Sequence, residues 1–445
     1  MRAPVFAALL LFALAVPAVA QEPATARAAP ASDTLVARAL AVHPRIRAAQ
    51  ARVDAARARV GPAGARPDPM LMAGIQNLPV SRPGFSADEM TMKMVGVSQT
   101  LPYPGKLPLA RAAAEREAEA AAAELEAARL EVRREVLDAW YELAFIDRAL
   151  EIVERNRATL AALVAATEVR YGAGTGSQQE VLRARLEATR LGEQAAGLQE
   201  RRLAVRARLN AARDRPGGTP VDGARIPERI ARAAVADSAA GVRFVSPALG
   251  ARAAGSPLPP LERVQEAAVA SNPTLRAHLA MIAAQAARLD LARRAHLPDF
   301  DVSLQYGQRD GFRDMVSATV SVPIPLQRGR RQGAGVTEAE ATLAALDAEH
   351  AAEANALRTE VARIYGELER SRTQLALYVR AILPQGQAAL ASATAAYQAG
   401  RADLLALLDA QATLFAYETE YHRALTDFAQ RLAELDRVVG REVLP

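Results

Sequence analysis

The sequence predicts a mainly α-helical fold with a small transmembrane β part, arranged as two duplicated helix-hairpin-helix halves. Hydrophobic residues make up 51% of the chain but aromatic residues only 4%, so the apolar content is mostly Ala, Leu and Val, as in long helices and coiled coils. Two proline-rich corners, SQTLPYPGKL at 98–107 and SVPIPLQRGR at 321–330, lie about half the chain apart. Each corner separates segments of alternating hydrophobicity from a long helical run, which indicates a duplication.

The N-terminal residues 1–20 are predicted to be a secretory signal. Arg2 precedes an apolar run at 5–16, and AVA at 18–20 is a small-x-small cleavage site ahead of Gln21. An uncleaved anchor is the alternative, but the apolar run is shorter than the roughly 20 residues that span a bilayer. The mature chain is therefore expected to begin at Gln21.

Repeated motifs define the two halves. HPRIRAAQ at 43–50 corresponds to NPTLRAHL at 272–279, and YGAGTGSQQEVLRAR at 171–185 corresponds to YQAGRADLLALLDAQ at 397–411. A Pro/Gly-rich stretch between them is typical of a linker, which can still fold onto the helices. The predicted divisions are the signal at 1–20, a first repeat at 21–213, a linker or equatorial segment at 214–260 and a second repeat at 261–445.

Each half is predicted to begin with one helix, at about 34–60 and 260–296. After two short strands and the corner, a long helix follows, and the run at 107–170 would extend roughly 95 Å at about 1.5 Å per residue. Its apolar residues alternate at spacings of four and three, which is coiled-coil packing, and Pro384 should interrupt the counterpart in the second half. The seam residues are Val132, Val136, Ala139, Leu143, Ile146, Leu150 and Val153, with Leu357, Val361, Ile364, Leu368, Ser371, Leu375, Tyr378 and Ile382 in the second half.

The alternating segments indicate membrane strands. From Phe300 to Tyr306 every second residue is apolar and the residues between are polar, and the segment from Met315 to Val322 repeats this pattern. Short segments that alternate in this way are typical of transmembrane β-strands. The alternative is a soluble hairpin packed on helices. Two hairpins supply too few strands to close a barrel, so the membrane interpretation requires oligomerisation.

Methionines concentrate in the first hairpin at a spacing of two, which puts strand residues on one face. Alignment of the two halves places them over polar residues such as Asp301 and Ser303, and over Met315 and Ser317. This predicts a lumenal methionine face, with Leu71, Ala73, Ile75, Val95 and Val97 toward lipid and Lys93 at the membrane boundary. The thioethers are weak candidate ligands for Cu(I) or Ag(I), and gap filling is the alternative. These methionines are Met70, Met72, Met90, Met92 and Met94.

The duplicated order of these motifs, with the corner LPYPGKL, resembles the TolC family of outer-membrane efflux proteins, and the corner is similar to the branch that serves heavy-metal efflux pumps. The resemblance covers nearly the whole mature chain. It implies a homotrimer in which three copies build a twelve-stranded β-barrel in outer-membrane lipid, continued by an α-helical barrel across the periplasm. It also implies two partners, a periplasmic adaptor and an inner-membrane pump, for which we expect the RND type. Many relatives carry an acylated cysteine, which is absent here.

The resemblance also assigns the two glycine turns to periplasmic tips that meet the adaptor and narrow the pore. Asp403 is the acid beside a tip glycine and is the candidate pore-mouth or gate residue, although a helix N-cap in GRADLL is an equal alternative. The candidate adaptor-docking residues are Tyr171, Gly172, Gly174, Thr175, Gly176, Ser177, Tyr397, Gly400 and Arg401.

Composition argues against other function classes. The net charge of +5 is small for 445 residues, and no Lys/Arg block alternates with aromatics, so nucleic-acid binding is not expected. Without cysteine, disulfides and thiolate chemistry are excluded within this chain, and the five histidines have no metal spacing. No nucleophile-base pair or carboxylate pair indicates an enzyme, and no cofactor is expected.

The expected function is a passive exit duct of a tripartite efflux system, conducting substrates such as metal ions or drugs from the periplasm. A duct for type I protein secretion is an alternative in the same class. A soluble periplasmic coiled-coil scaffold is the alternative from another class.

Overall fold

The computed structural model describes residues 31–80, 84–86, 88–221, 223–235 and 258–444. The predicted signal at 1–20 lies outside these residues. The first half consists of α1 (Ala31–Val42), α2 (Pro44–Gly64), β1 (Met70–Gln76), β2 (Met92–Leu101), α3 (Lys106–Gly172) and α4 (Gln178–Ala212). After α5 (Glu228–Val235), the second half consists of α6 (Leu261–Ser271), α7 (Pro273–Arg294), β3 (Phe300–Gln308), β4 (Met315–Ser321), α8 (Ala334–Leu377), α9 (Leu383–Gln398) and α10 (Leu404–Val439).

The first helix of each half is split in two, where the sequence predicted one continuous helix. The breaks fall at His43 and Asn272, each of which precedes a proline and has extended backbone with ψ of 129° and 122°. Proline disfavours helical geometry in the residue before it, so a new helix starts at the proline itself. The Asn272 side chain caps that helix by accepting from the N–H groups of Thr274 and Leu275 at 2.8 and 3.1 Å.

The long helices differ between the halves, as the position of Pro384 predicts. In the first half α3 runs unbroken for 67 residues, whereas in the second half a π-helical segment, Tyr378–Ile382, separates α8 from α9 just before Pro384. Proline has no N–H to donate, so the hydrogen-bond ladder changes register there. A second π-helical segment, Gly329–Gly333, begins the long helix and was not predicted. None of the helices among the described residues is long and apolar enough to cross a membrane.

The core lies midway along the helices, where most of both predicted seams is buried and Leu150, Leu357 and Ile382 are half-buried. Leu143, Ile146 and Leu368 are each 0% exposed, and Trp140 is buried with its indole Nε1 donating to the Arg225 carbonyl at 3.0 Å. Arg225 belongs to the linker, and Ile230 of the same segment is buried in this core. The described part of the linker therefore packs against the helices.

The four strands form one antiparallel sheet in the order β1-β2-β3-β4. Pairing of β2 with β3 joins the two halves, with Leu101 opposite Phe300 and Val97 opposite Leu304. β1 and β4 are the two edges. Since β2 ends directly before Pro102 and β4 ends two residues before Pro323, the prolines close these strands as expected.

The LPYPGKL corner is bound to the start of β3 by Asp299. Its Oδ1 accepts from the Tyr103 N–H at 2.7 Å and from Lys106 Nζ at 2.8 Å. Gly105 has φ of +92°, and the Arg294 guanidinium, which donates to the Pro104 carbonyl, occupies the space of a Cβ there. Burial raises the pKa of Asp299, but the Lys106 and Tyr103 hydrogen bonds outweigh it and hold the pKa below its ordinary value. The joint between sheet and helix is thus fixed by contacts between the halves.

We expect Asp299→Asn to lower the stability of the protein by about 1 to 2 kcal/mol, because it removes the ion pair with Lys106 at a partly exposed site. Circular dichroism at 222 nm during heating in detergent measures the unfolding midpoint. The wild-type advantage should be complete above the ordinary pKa of aspartate and shrink as the pH falls through the lowered pKa. Asp290→Asn, which removes an exposed pair with Arg293, is the control, and an equal effect there would contradict the assignment.

Candidate functional site

The two glycine turns predicted as tips have the same backbone geometry. Gly174 and Gly400 have φ of +72° and +68°, a left-handed conformation that glycine adopts without strain. Each glycine donates its N–H to the tyrosine carbonyl three residues earlier, Tyr171 or Tyr397, at 3.0 Å. The duplication therefore produced two equivalent helix-turn-helix hairpins, α3–α4 and α9–α10.

Each hairpin restarts its second helix with a side-chain cap. Ser177 Oγ accepts from the Glu180 N–H at 3.2 Å, and Asp403 Oδ1 accepts from the Ala406 N–H at 3.0 Å. Asp403 is therefore the N-cap of α10, which was the alternative open in the sequence, and its side chain is also exposed at the tip. The cap and a pore-mouth role are compatible, since one carboxylate oxygen caps and the charge remains at the surface.

The two glycine turns are held together within the chain. The Arg170 guanidinium lies over the Tyr397 ring at 5.1 Å from its centroid, a cation–π contact between the hairpins. Beneath it, Leu160 and Ala184 of the first hairpin pack with Leu404 and Leu408 of the second. The other predicted tip residues stay at the surface: Tyr171, Gly172, Gly174, Thr175, Ser177, Gly400 and Arg401 are exposed, and Gly176 is half-buried.

The sheet has one mainly apolar and one mainly polar face, which the strand register defines. Residues directly opposite each other share a face, so Val95 lies between Ala73 and Tyr306, while Gly96 lies between Met72 and Gln305. The strand methionines therefore share the face of the polar residues, as the alignment of the halves predicted. Members of this face are Met70, Met72, Met92, Met94, Ser98, Asp301, Ser303, Gln305, Met315, Ser317 and Thr319.

The apolar face is exposed and is not covered by helices. Leu71 is 77% exposed and Val316 68% exposed, and Val97, Leu304 and Val320 on the same face are also exposed. An apolar surface of this kind indicates a membrane or protein contact. It disfavours the scaffold alternative, in which the hairpins would pack on helices.

Two predictions about the first hairpin have different outcomes. Lys93 lies on the apolar face as expected, at the end of the sheet far from the helices, where its Nζ pairs with Asp310 at 3.5 Å and lies 4.4 Å from the centre of the Phe85 ring. Met90 was predicted to share the strand face, but it lies in a turn ahead of β2, where its N–H donates to Asp88. On the second strand, the spacing of two therefore holds only from Met92 onward.

Histidine offers no metal centre in the described residues, where no group of three or more His, Asp or Glu side chains could hold a metal ion. His422 lies instead beside an arginine. Burial and the neighbouring Arg148 lower its pKa to about 4, and its Nε2 accepts from Arg148 Nε at 3.2 Å. This histidine is therefore neutral and engaged with its neighbours.

Comparison with known proteins identifies the family. The model of the family described as Outer membrane efflux protein matches residues 35–213 and 264–441. The chain belongs to the outer membrane efflux protein family. It is 26% identical over 185 residues to the cobalt-zinc-cadmium resistance protein CzcC of Cupriavidus metallidurans, a match that covers 42% of this chain and 44% of that protein.

Solved outer-membrane channels share the fold of this efflux protein. The channel OprN superposes with a TM-score of 0.73 at 19% identity, covering 93% of this chain and 91% of OprN. CusC has a TM-score of 0.73 at 18% identity and 92% coverage of both chains. VceC from Vibrio cholerae has a TM-score of 0.69 at 21% identity, covering 92% of this chain and 94% of VceC.

The sequence did not predict the long-range contacts of three residues in this efflux protein. Arg170 directly precedes a tip tyrosine of its own hairpin, but its contact is with the other hairpin. Asp299 follows Pro298, which aligns with Pro67. That alignment revealed the repeat, but it did not predict the hydrogen bond between Asp299 and Lys106. Met315 was aligned with the strand methionines, yet its position on a separate hairpin gave no reason to group it with them.

We expect Asp403→Ala to destabilise the first turn of α10 by about 1 kcal/mol, and Asp403→Asn to have little effect, because asparagine caps as well as aspartate. Hydrogen exchange at the Ala406 amide, which the cap binds, measures this directly. Asp409→Ala is the control, since Asp409 is exposed within the same helix. Equal exchange in the alanine and asparagine variants at position 403 would show that the cap contributes nothing.

Proposed function

We propose that this chain is the outer-membrane exit channel of a tripartite efflux system, in which three copies close one barrel. The observation that carries the proposal is the sheet with an exposed apolar face and an opposite polar face. A barrel strand in lipid needs this division, with apolar side chains toward the bilayer and polar side chains toward an aqueous lumen.

The sheet edges support the oligomer. β1 and β4 each have one strand neighbour, so their outer backbone groups have no partner strand among the described residues of one copy. In lipid, unpaired backbone groups cost several kcal/mol each. Pairing of β4 in one copy with β1 in the next satisfies both edges, and closure after three copies gives twelve strands.

The helical tips support an adaptor partner. Both tip turns project exposed side chains, and the contact of Arg170 with Tyr397 joins one hairpin to the other. A periplasmic adaptor would bind these tips, and an inner-membrane pump of the RND type would drive transport. The match to a cobalt-zinc-cadmium resistance protein supports metal ions as the substrate class.

A planar bilayer test addresses the channel and the role of Asp403 together. The purified protein should give discrete single-channel conductance, whereas a scaffold should give none. Three Asp403 carboxylates around a pore mouth would attract cations, so Asp403→Asn should lower the cation-to-anion permeability ratio while leaving the oligomer yield unchanged, because the cap is kept. Unchanged selectivity in conducting channels would remove Asp403 from the pore mouth.

Adjacent residues on opposite faces test which face is lumenal. The sequence has no native cysteine, so Met94→Cys and Val95→Cys each introduce a single thiol. Position 94 should react with a membrane-impermeant thiol reagent that enters the channel, and position 95 should be protected by lipid. The reverse pattern would overturn the lumenal assignment of the methionine face.

A further inference from the structure

Three methionines surround one glycine on the polar face of the sheet. Gly307 is the direct cross-strand partner of Met94 on one side and of Met315 on the other. The Met92 thioether lies over it, since a Cβ on Gly307 would meet Met92 Sδ at 2.6 Å. The methionines of β2 and β4 thus lie in one patch. The missing side chain of Gly307 on β3 leaves space between them.

The sheet geometry brings these side chains within reach of one another. Neighbouring strands lie about 4.8 Å apart, so the Met94 and Met315 backbones are roughly 10 Å apart across Gly307. Met92 is two residues from Met94 on the same strand, roughly 7 Å away. Because methionine is long and unbranched, all three thioethers can converge above the glycine.

Met92 is held in place, while the other two remain accessible. Met92 is only 8% exposed, whereas Met315 is 39% exposed and Met94 is half-buried. The cross-strand row through Gly307 contains Gly74, Met94 and Met315, with no carboxylate. This row therefore offers neutral sulfur ligands in place of the carboxylates that hard divalent cations prefer.

We propose that Met92, Met94 and Met315 form a three-sulfur site for a soft monovalent cation of the Cu(I) or Ag(I) class. Its position in a transport path rests on the proposed function, because only a lumenal polar face meets the substrate. The site lies near the β3–β4 turn, at the end of the sheet opposite the proline corners. A cation leaving through the barrel would meet it close to the outer exit.

Titration of the full-length protein in detergent with Ag(I) alone tests the site. Calorimetry should give one specific site per chain, and X-ray absorption should give three sulfur ligands per silver ion. Met92→Leu, Met94→Leu and Met315→Leu keep side-chain volume and should each weaken binding about tenfold or more, a loss of roughly 1.4 kcal/mol. Met70→Leu is the matched control, since Met70 lies on the same face away from Gly307, and its affinity should equal that of the wild type.

Gly307→Ala provides a second test that keeps every sulfur. The added Cβ would displace the Met92 thioether, so Ag(I) affinity should fall while the circular dichroism spectrum is retained. Three results would each overturn the site. They are wild-type Ag(I) affinity in a variant that carries all three leucine substitutions, an equal loss of Ag(I) affinity in Met70→Leu, and displacement of Ag(I) by excess Zn(II).

Conductance separates this site from the channel proposal. Leucine variants that conduct normally but lose Ag(I) affinity support the site with the channel intact. Three-sulfur Ag(I) binding by a protein that forms no channel would support the site and refute the proposed function.

Discussion

The pairing of β2 with β3 is the contact on which the rest of the structure depends. It is the strand contact that joins the duplicated halves, and its register from Lys93–Gln308 to Leu101–Phe300 sets which residues share a face across all four strands. A shift of one residue would place every side chain of one half on the opposite face. The division into an apolar and a polar surface would then be lost.

The same pairing places the start of β3 beside the LPYPGKL corner. Asp299 can therefore bind Tyr103 and Lys106, and Arg294 can bind the Pro104 carbonyl across the positive-φ turn at Gly105. These bonds fix the direction in which α3 leaves the sheet. Because α3 is a continuous helix of 67 residues, a small change of angle at the corner would move its tip by many ångströms.

Packing of small residues and a buried seam maintains this helix direction along the length of α3. α3 packs against α2, α4, α7 and α10, and Ala139, Leu143 and Ile146 are buried on it. At the far end, Arg170 and Tyr397 join hairpins from the two halves. The halves are thus joined by strand pairing at one end and by a cation–π contact at the other, with the core between them.

The sequence by itself determined the local elements, because their signals are local. Alternation in 300–306 identified a strand, four-three spacing identified the seam, and Pro384 marked the interruption between α8 and α9. Comparison of the halves also placed the methionines on the polar face, because a period of two fixes relative faces without knowledge of the partner strand. The splits at His43 and Asn272 were readable from the following prolines, but the helical periodicity on either side obscured them.

Tertiary structure alone decided what depends on contacts between distant residues. The bond from Asp299 to Lys106, the packing of Arg170 on Tyr397 and the grouping of Met315 with Met92 and Met94 each join residues that are about half the chain apart. Such contacts are set by strand register and helix direction, which no single segment encodes. The sequence therefore determined the elements and their faces, and the folded chain determined which faces meet.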